Sequence, residues 1–399
     1  MEHLMAPTNR RRFLKWTLGG FAALSTAAVA GGVGISLIPN VPAVAIAPWR
    51  AAGQGRDPRE RALSYAALAP NPHNLQSWLI ELVGEDQMRL FVDRSRLLPE
   101  TDPFSRQIVI GQGCFLETLV LGAGLAGYRA EVSLFPQGSF SADGVDHRPV
   151  ADIRLSAGGI ADPLAAAIIQ RRSVKEPFDA KRPPSDGQLR ALTALSTADV
   201  RVEATAAADR VAQLRGLLYE GMEIETRLPR TFLESVKLMR IGSKEIAQHR
   251  DGIDIGGGMI EVLARTGIIT REALADPTSS GFQTGLDLYK AMTDGTPALI
   301  WLTTPANRRE DQIAAGRAYQ RLALSVTQAG LALHPMSQLL QEYPEMAGAQ
   351  QRLLAELGSK APERVQMIAR IGYGPTVSPA PRRDPATLIT AGPKLSMAF

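Results

Sequence analysis

Two stretches limit what this 399-residue chain can fold into. Residues from about 105 to 127, and again from about 308 to 331, run at helical spacing and are rich in Ile, Val, Leu, Ala and Gly. Helices this long and apolar belong in a core. The segments around them read as strands: 78–83 and 88–93 about a Gly84-Glu85-Asp86 turn, then 131–135, 151–155, 200–204, 298–303 and 365–372. The two helical stretches also align with each other. Arg106-Gln107-Ile108-Val109-Ile110-Gly111 leads to Ala123-Gly124-Leu125, and Asp311-Gln312-Ile313-Ala314-Ala315-Gly316 leads to Ala329-Gly330-Leu331. Internal similarity of this kind predicts a doubled unit; a chance match between two Ala/Leu/Gly helices is the alternative. The expected fold class is α+β, with two fused half-units over 48–158 and 159–390. Each would carry a mainly antiparallel sheet and long core helices. Residues 206–292 are mostly helical in pattern, with Val211, Leu214, Leu218 and Met222 on one face.

Ahead of this core lies Thr8-Asn9-Arg10-Arg11-Arg12-Phe13-Leu14-Lys15. It resembles the bacterial twin-arginine signal R-R-x-F-L-K, with Arg10 and Arg11 as the pair and Asn9 where Ser or Thr is usual. A charge-free stretch, 16–38, follows. Ala43-Val44-Ala45 and Ala45-Ile46-Ala47 both offer small-residue cleavage sites, so 1–47 reads as a signal peptide. Retention as an anchor is the alternative, because the stretch is long enough to span a bilayer, which takes about 20 apolar residues. The expectation is export in the folded state through the twin-arginine translocase, to the periplasm or the outer face of the cytoplasmic membrane. A single cysteine, Cys114, rules out an internal disulfide framework and reads as a small buried hydrophobe. The 45% hydrophobic and 21% charged fractions are those of an ordinary globular protein. No basic run with interleaved aromatics points to nucleic acid.

Several familiar chemistries are excluded by pattern. Gly122-Ala123-Gly124-Leu125-Ala126-Gly127 fits G-x-G-x-x-G, but it ends a helix instead of opening one, so no phosphate would meet a helix N-terminus. The five histidines are scattered, so neither a metal cluster nor a Ser–His–acid triad is expected. Two other segments do carry binding chemistry. Ala69-Pro70-Asn71-Pro72-His73-Asn74-Leu75-Gln76-Ser77-Trp78 is a helix stop followed by a turn rich in amides, which offer donors and acceptors together. Arg171-Arg172-Ser173-Val174-Lys175 puts three cations and a hydroxyl in five residues, and arginine forks suit phosphate oxygens. A capped loop and a solvated helix end are the plainer alternatives.

Together the two segments resemble the nitroreductase superfamily of FMN-dependent oxidoreductases, and within it the exported, double-length, Acg-like group. The family turn A-P-S-x-x-N-x-Q-P-W is matched at Ala69, Pro70, Asn74, Gln76 and Trp78, and departed from at Asn71 and Ser77. The phosphate clamp R-x-S-x-R is matched at Arg171 and Ser173, with Lys175 in place of the last Arg. Arg370-Ile371-Gly372-Tyr373-Gly374-Pro375, with Arg382 and Arg383 beyond, looks like the family's last strand and phosphate-binding tail. The resemblance implies a nitroreductase-like fold and FMN held by Pro70, Asn71, Asn74, Gln76, Arg171, Arg172, Ser173, Lys175, Arg382 and Arg383. Pro335, Met336 and Ser337 would form the loop facing flavin N5, and 206–292 a helical lid. Clamp and turn occur once each, in different halves, so one FMN per chain is expected, in a monomer acting as a pseudo-dimer. A small-molecule electron donor and acceptor would be the partners, with no catalytic side chain required and His73 satisfied by nearby backbone. The alternatives are a protein that holds flavin with little turnover, and a flavin-free interaction protein.

Overall fold

The computed structural model describes residues 41–391. The twin-arginine pair and the stretch after it therefore lie outside the described residues.

The architecture is α+β. One sheet has five strands in the order β11-β1-β2-β4-β3: β1 Trp78–Val83, β2 Gln87–Val92, β3 Tyr128–Leu134, β4 Ala151–Ala157 and β11 Ile389–Thr390. All its pairings are antiparallel except β1 with β11. The second sheet is antiparallel, in the order β5-β8-β10-β9: β5 Arg201–Thr205, β8 Ala298–Thr304, β9 Ala332–Pro335 and β10 Arg364–Gly372. Strand β8 is buried along its whole length, as its unbroken apolar run requires.

Between the sheets cross two helices of equal length, α3 Arg106–Leu125 and α11 Arg309–Gln328, each of 20 residues. Their backbones touch. A Cβ added to Gly316 would lie 2.0 Å from the Ile110 carbonyl oxygen, and one added to Gly113 would lie 2.3 Å from that of Ile313. Only glycine fits at either position. The contact is reciprocal: Gly113 faces Gly316, and it is Gly113, not the Gly111 of the sequence alignment, that stands at this point of backbone contact.

Helix α1 is Ala43–Arg50, α2 Pro58–Ala66 and α4 Asp186–Thr193. Helix α2 opens on an Asp57 cap, whose carboxylate accepts from Arg59 N and Glu60 N, with Pro58 at the first helical position. From 208 to 294 run α5 Ala208–Arg227, α6 Pro229–Leu238, α7 Gly242–His249, α8 Gly258–Arg265, α9 Arg271–Ala275 and α10 Ser280–Asp294. Two short parallel strands, β6 Met239–Ile241 and β7 Ile253–Ile255, interrupt them. Helix α12 is Ala347–Glu356.

Three features of the structure bear on the sequence reading. Residue 47, where the signal peptide is expected to end, falls inside α1. Ala45 is fully buried and Trp49 nearly so; Arg382 N donates to Ala45 O at 2.8 Å, and the Trp49 indole donates to Ala380 O at 2.8 Å. Ahead of the arginine cluster the chain makes a 3-10 turn, Pro163–Ala167. Beyond it the chain is drawn out beside β9, where Val174 N donates to Leu333 O at 3.0 Å. Finally, the tail reaches the first sheet, where β11 pairs with β1.

Candidate functional site

The amide turn follows α2 and leads into β1. His73, Asn74 and Gln76 all take left-handed backbone angles, with φ of 46°, 55° and 54°. Such angles are uncommon outside glycine, and a cluster of them persists only where surrounding bonds enforce it. Those bonds are present. The Asn71 side chain accepts from Gln76 N at 2.7 Å and donates to Ala69 O at 3.2 Å. Pro70, buried, stops the preceding helix, and Pro72 packs where a Cβ on Gly111 would come within 3.2 Å.

The arginine tail closes on this turn. Asn74 Nδ2 donates to Pro381 O at 3.0 Å, and Arg382 Nη1 donates to Asn74 Oδ1 at 2.5 Å. Arg383 N donates to Gln76 Oε1 at 2.8 Å. The clamp arrives from the other side: Arg171 Nη2 and Arg382 Nη2 both donate to Leu68 O, at 3.1 and 3.2 Å. Turn, clamp and tail, separated by hundreds of residues in sequence, therefore meet directly.

Electrostatically this junction is unusual. Arg171 and Arg382 are 4% and 3% exposed, and neither forms an ion pair among the described residues. Burial lowers the Arg171 guanidinium to about 10 and the Arg382 guanidinium to about 9; the Arg171 and Arg172 charges add to the cost at Arg382, and the Arg172 charge to that at Arg171. Among the described residues Arg382 Nε has no hydrogen-bond partner. Beneath them lies the Trp49 ring, with the Arg172, Arg382 and Arg171 guanidinium carbons 4.8, 5.3 and 5.9 Å from its centroid. Cations over an indole face are stabilised by about 0.5–2 kcal/mol each, which softens their burial but leaves their charge unmatched. Ser173 is exposed beside them, and Lys175 faces Asp254 at 3.6 Å. Two buried guanidinia, a lysine and a hydroxyl suit a phosphate group.

The segment leading into β7 lies over the amides. Gln76 Nε2 donates to Arg250 O at 2.9 Å, and Gly252 N donates to Asn74 O at 3.1 Å. Between these contacts Asp251, buried, is held by Arg240 at 2.8 Å and by Arg96. The amide side chains expected to read a flavin edge thus bond to the chain itself; their oxygens each keep a second lone pair.

Pro335, Met336 and Ser337 follow β9 and make no hydrogen bond to the turn. Met336 is buried, its N donating to Ile368 O at 2.8 Å, and Tyr289 OH lies 3.4 Å from its sulfur. Ser337 Oγ lies 3.9 Å from Met367 Sδ. The link to the clamp runs through Arg370, which reaches His334 Nδ1 at 3.0 Å and Val174 O at 2.8 Å. The Lys175 charge acts on His73 and His334 alike, and burial with that charge takes the His73 imidazole down to about 4.

His73 differs from the expected backbone-satisfied histidine. Its Nδ1 is sealed without a partner, and its Nε2 lies 3.4 Å from Ser235 Oγ. Ser235 in turn donates to Glu225 at 3.2 Å, and Gln341 donates to the same carboxylate at 2.9 Å. Burial raises the Glu225 carboxyl to about 7. Sequence reasoning missed this chain and also Trp49 and Asp251. Only for Trp49 was there a signal, an isolated Trp directly after the apolar leader. The G-x-G-x-x-G glycines serve close packing: a Cβ on Gly122 would lie 2.7 Å from Tyr65. No group of three or more His, Cys, Asp or Glu able to hold a metal occurs among the described residues.

No family model matches the chain. It is similar to a protein from Mycobacterium tuberculosis called putative NAD(P)H nitroreductase acg, 26% identical over 339 residues that cover 81% of this chain and 91% of the relative. An uncharacterized protein of the same organism is 25% identical over 343 residues, covering 82% and 90%. Among solved structures, the FMN-dependent nitroreductase NfnB from Mycobacterium smegmatis, in complex with NADPH, aligns at 21% identity and a TM-score of 0.34. That alignment covers 55% of this chain and 94% of the other.

Proposed function

Since the chain belongs to the nitroreductase superfamily, we propose that it is an exported FMN-dependent oxidoreductase that passes electrons from a donor such as NAD(P)H to a small acceptor, a nitroaromatic or a quinone. The observation that carries this reading is the pair of buried, unpaired arginines, Arg171 and Arg382, meeting the amide turn. A site that buries two cations without a carboxylate is built for an anion that arrives from outside. Arg171, Arg382, Ser173 and Lys175 would hold the FMN phosphate. Asn71, Asn74, Gln76 and the backbone of Pro70 would face its polar ring edge, with Arg172 and Arg383 flanking. Pro335, Met336 and Ser337 would lie at the reacting face. FMN, when bound, supplies the hydride or electron transfer; the chain's own part is to orient it and exclude water. One such cluster per chain favours one FMN.

The experiment is an absorbance spectrum of purified, FMN-reconstituted protein, with and without NADH or NADPH. Arg171→Ala with Ser173→Ala should abolish flavin retention while leaving the fold intact; unchanged flavin content would overturn the assignment. A second reading, a protein that holds flavin with little turnover, is favoured by the 250–254 segment seated on Asn74 and Gln76. Flavin that binds but is not bleached by reductant would select it. Export by the twin-arginine route is part of the proposal, supported by the Arg10-Arg11 signal. Fractionation tests it: the protein should appear in the periplasm or on the outer face of the membrane, and lose that location when Arg10 and Arg11 become Lys.

A further inference from the structure

Helix α1 connects the proposed export of this chain to its proposed anion site. We propose that the leader is not removed after Ala45 or Ala47, and that α1 stays in the exported protein as the back wall of the arginine cluster. The inference rests on the export reading for its setting and on the fold for its substance.

A leader peptidase reads small residues just before the cut, and a protease takes its substrate as an extended, accessible strand. Both small-residue trios of this chain, Ala43-Val44-Ala45 and Ala45-Ile46-Ala47, lie within α1. Ala45 is fully buried, and its carbonyl, part of the bond that cutting after Ala45 would break, accepts Arg382 N at 2.8 Å. Four residues on, Trp49 is 6% exposed, tied to Ala380 O and lying under Arg171, Arg172 and Arg382. Trp49 also packs with Leu68, Leu121, Ile168 and Leu324, which come from four separate parts of the chain. Cutting at either trio would require α1 to leave this cluster and unwind.

The route of export makes this decisive. The twin-arginine machinery carries chains already folded, so the peptidase on the far side would meet α1 docked. Removal of 1–45 or 1–47 would also take away the Ala45 carbonyl that fixes Arg382, or leave Trp49 one residue from a charged terminus. A small-residue trio remains upstream by sequence, Ala28-Val29-Ala30. The apolar stretch from Trp16 to it has the length of a signal h-region, roughly 7–15 residues. Processing therefore either uses that upstream trio or does not occur.

The test is the intact mass and N-terminal sequence of the full chain expressed in a twin-arginine-competent bacterium and recovered from its membrane and periplasm. The expected product begins at or before Val41. A product beginning at Ile46 or Pro48 overturns the proposal. Ala43 and Ala47 are exposed, so Ala43→Leu with Ala47→Leu spoils both trios without touching the packed face. This variant should be processed as the parent is, and loss of processing would overturn the proposal. A second measurement does not depend on export. Purified full-length protein is treated with elastase, which cuts after small residues, and the cuts are mapped by mass. Cleavage after Ala45 should be at least tenfold slower in the native chain than in urea, and in native Trp49→Ala faster than in the native parent; the bond after Ala47 leads into Pro48 and is not read by elastase. Equal rates in native and unfolded chain overturn the docking of α1, whereas a chain that never leaves the cytoplasm fails only the export reading.

Discussion

Arg106 and Arg171 are both almost fully buried, yet they belong to regions built on opposite terms. At the start of α3, Arg106 meets the Glu342 carboxylate at 3.1 Å and also donates to Gln366 O and Leu340 O. Its counterpart at the start of α11, Arg309, donates to Phe104, Ser141, Ala142 and Gly144 carbonyls. Each arginine reaches across into the other half and is fully engaged there. Arg171 and Arg382 both donate to Leu68 O, and Arg382 also to Ala69 O, Pro381 O and Asn74 Oδ1; among the described residues neither meets a carboxylate, and an indole lies beneath the two cations. The first pair fastens the two halves together. The second is a cost the fold carries, and a cost of this kind marks a place where a ligand completes the chemistry.

The comparison can be broken most severely at the crossing. Gly316→Ala puts a methyl where Gly113 and Ile110 already stand, and overpacking of this sort costs about 3 kcal/mol or more. Urea unfolding should show that loss, or no folded protein at all; an unchanged midpoint would mean the helices separate easily. Next, Arg106→Ala should cost about 1–3 kcal/mol, because the Gln366 and Leu340 carbonyls lose a buried donor, while Glu342 keeps Arg364. Arg171→Ala should cost less than about 1 kcal/mol while abolishing anion binding. Equal losses in the two variants would erase the distinction.

Titration sharpens the picture around Glu225 and His73. Glu225 keeps its proton in the folded chain up to about pH 7, against about 4.5 in the open chain. The folded state then binds more protons across that window, so this residue makes stability fall as pH rises through it, by on the order of 1–3 kcal/mol. His73, lowered to about 4 from 6.5, acts in reverse: the unfolded chain binds more protons, and stability rises from about pH 4 to 6.5. Glu225→Gln should therefore unmask a rising curve below pH 7, and His73→Asn a falling one, each measured as the difference from wild type. Parallel curves for all three proteins would place both groups in water. The smallest effect is at Cys114, whose thiol burial pushes up to about 12 beside Gly316 O at 3.2 Å. It should not react with a thiol reagent at pH 8 until the chain unfolds.

Much of this was legible in the sequence, for reasons that differ by residue. The long helices and most strands announce themselves by period, since each is a local property. Turn, clamp and tail were legible as chemistry, because Asn74, Gln76, Arg171 and Arg382 are residue types with one shared use. Their meeting at Leu68 O was not, being a product of strand β11 returning to β1. Trp49 was hidden because its value lies wholly in what stacks on it. Asp251 and Glu225 were hidden because a charged residue in a helical region usually faces water.

The return of β11 to β1 has a consequence for the order in which the protein is made. The first sheet gains its outer strand, and the turn its arginines, from residues made long after the strand and turn they join: Arg383 bonds Gln76 across 307 positions. Domains often fold from the front as they are synthesised; here the front sheet stays unfinished until that distant segment arrives. A ribosome that stops before residue 382 yields a chain with its core helices and without this cluster.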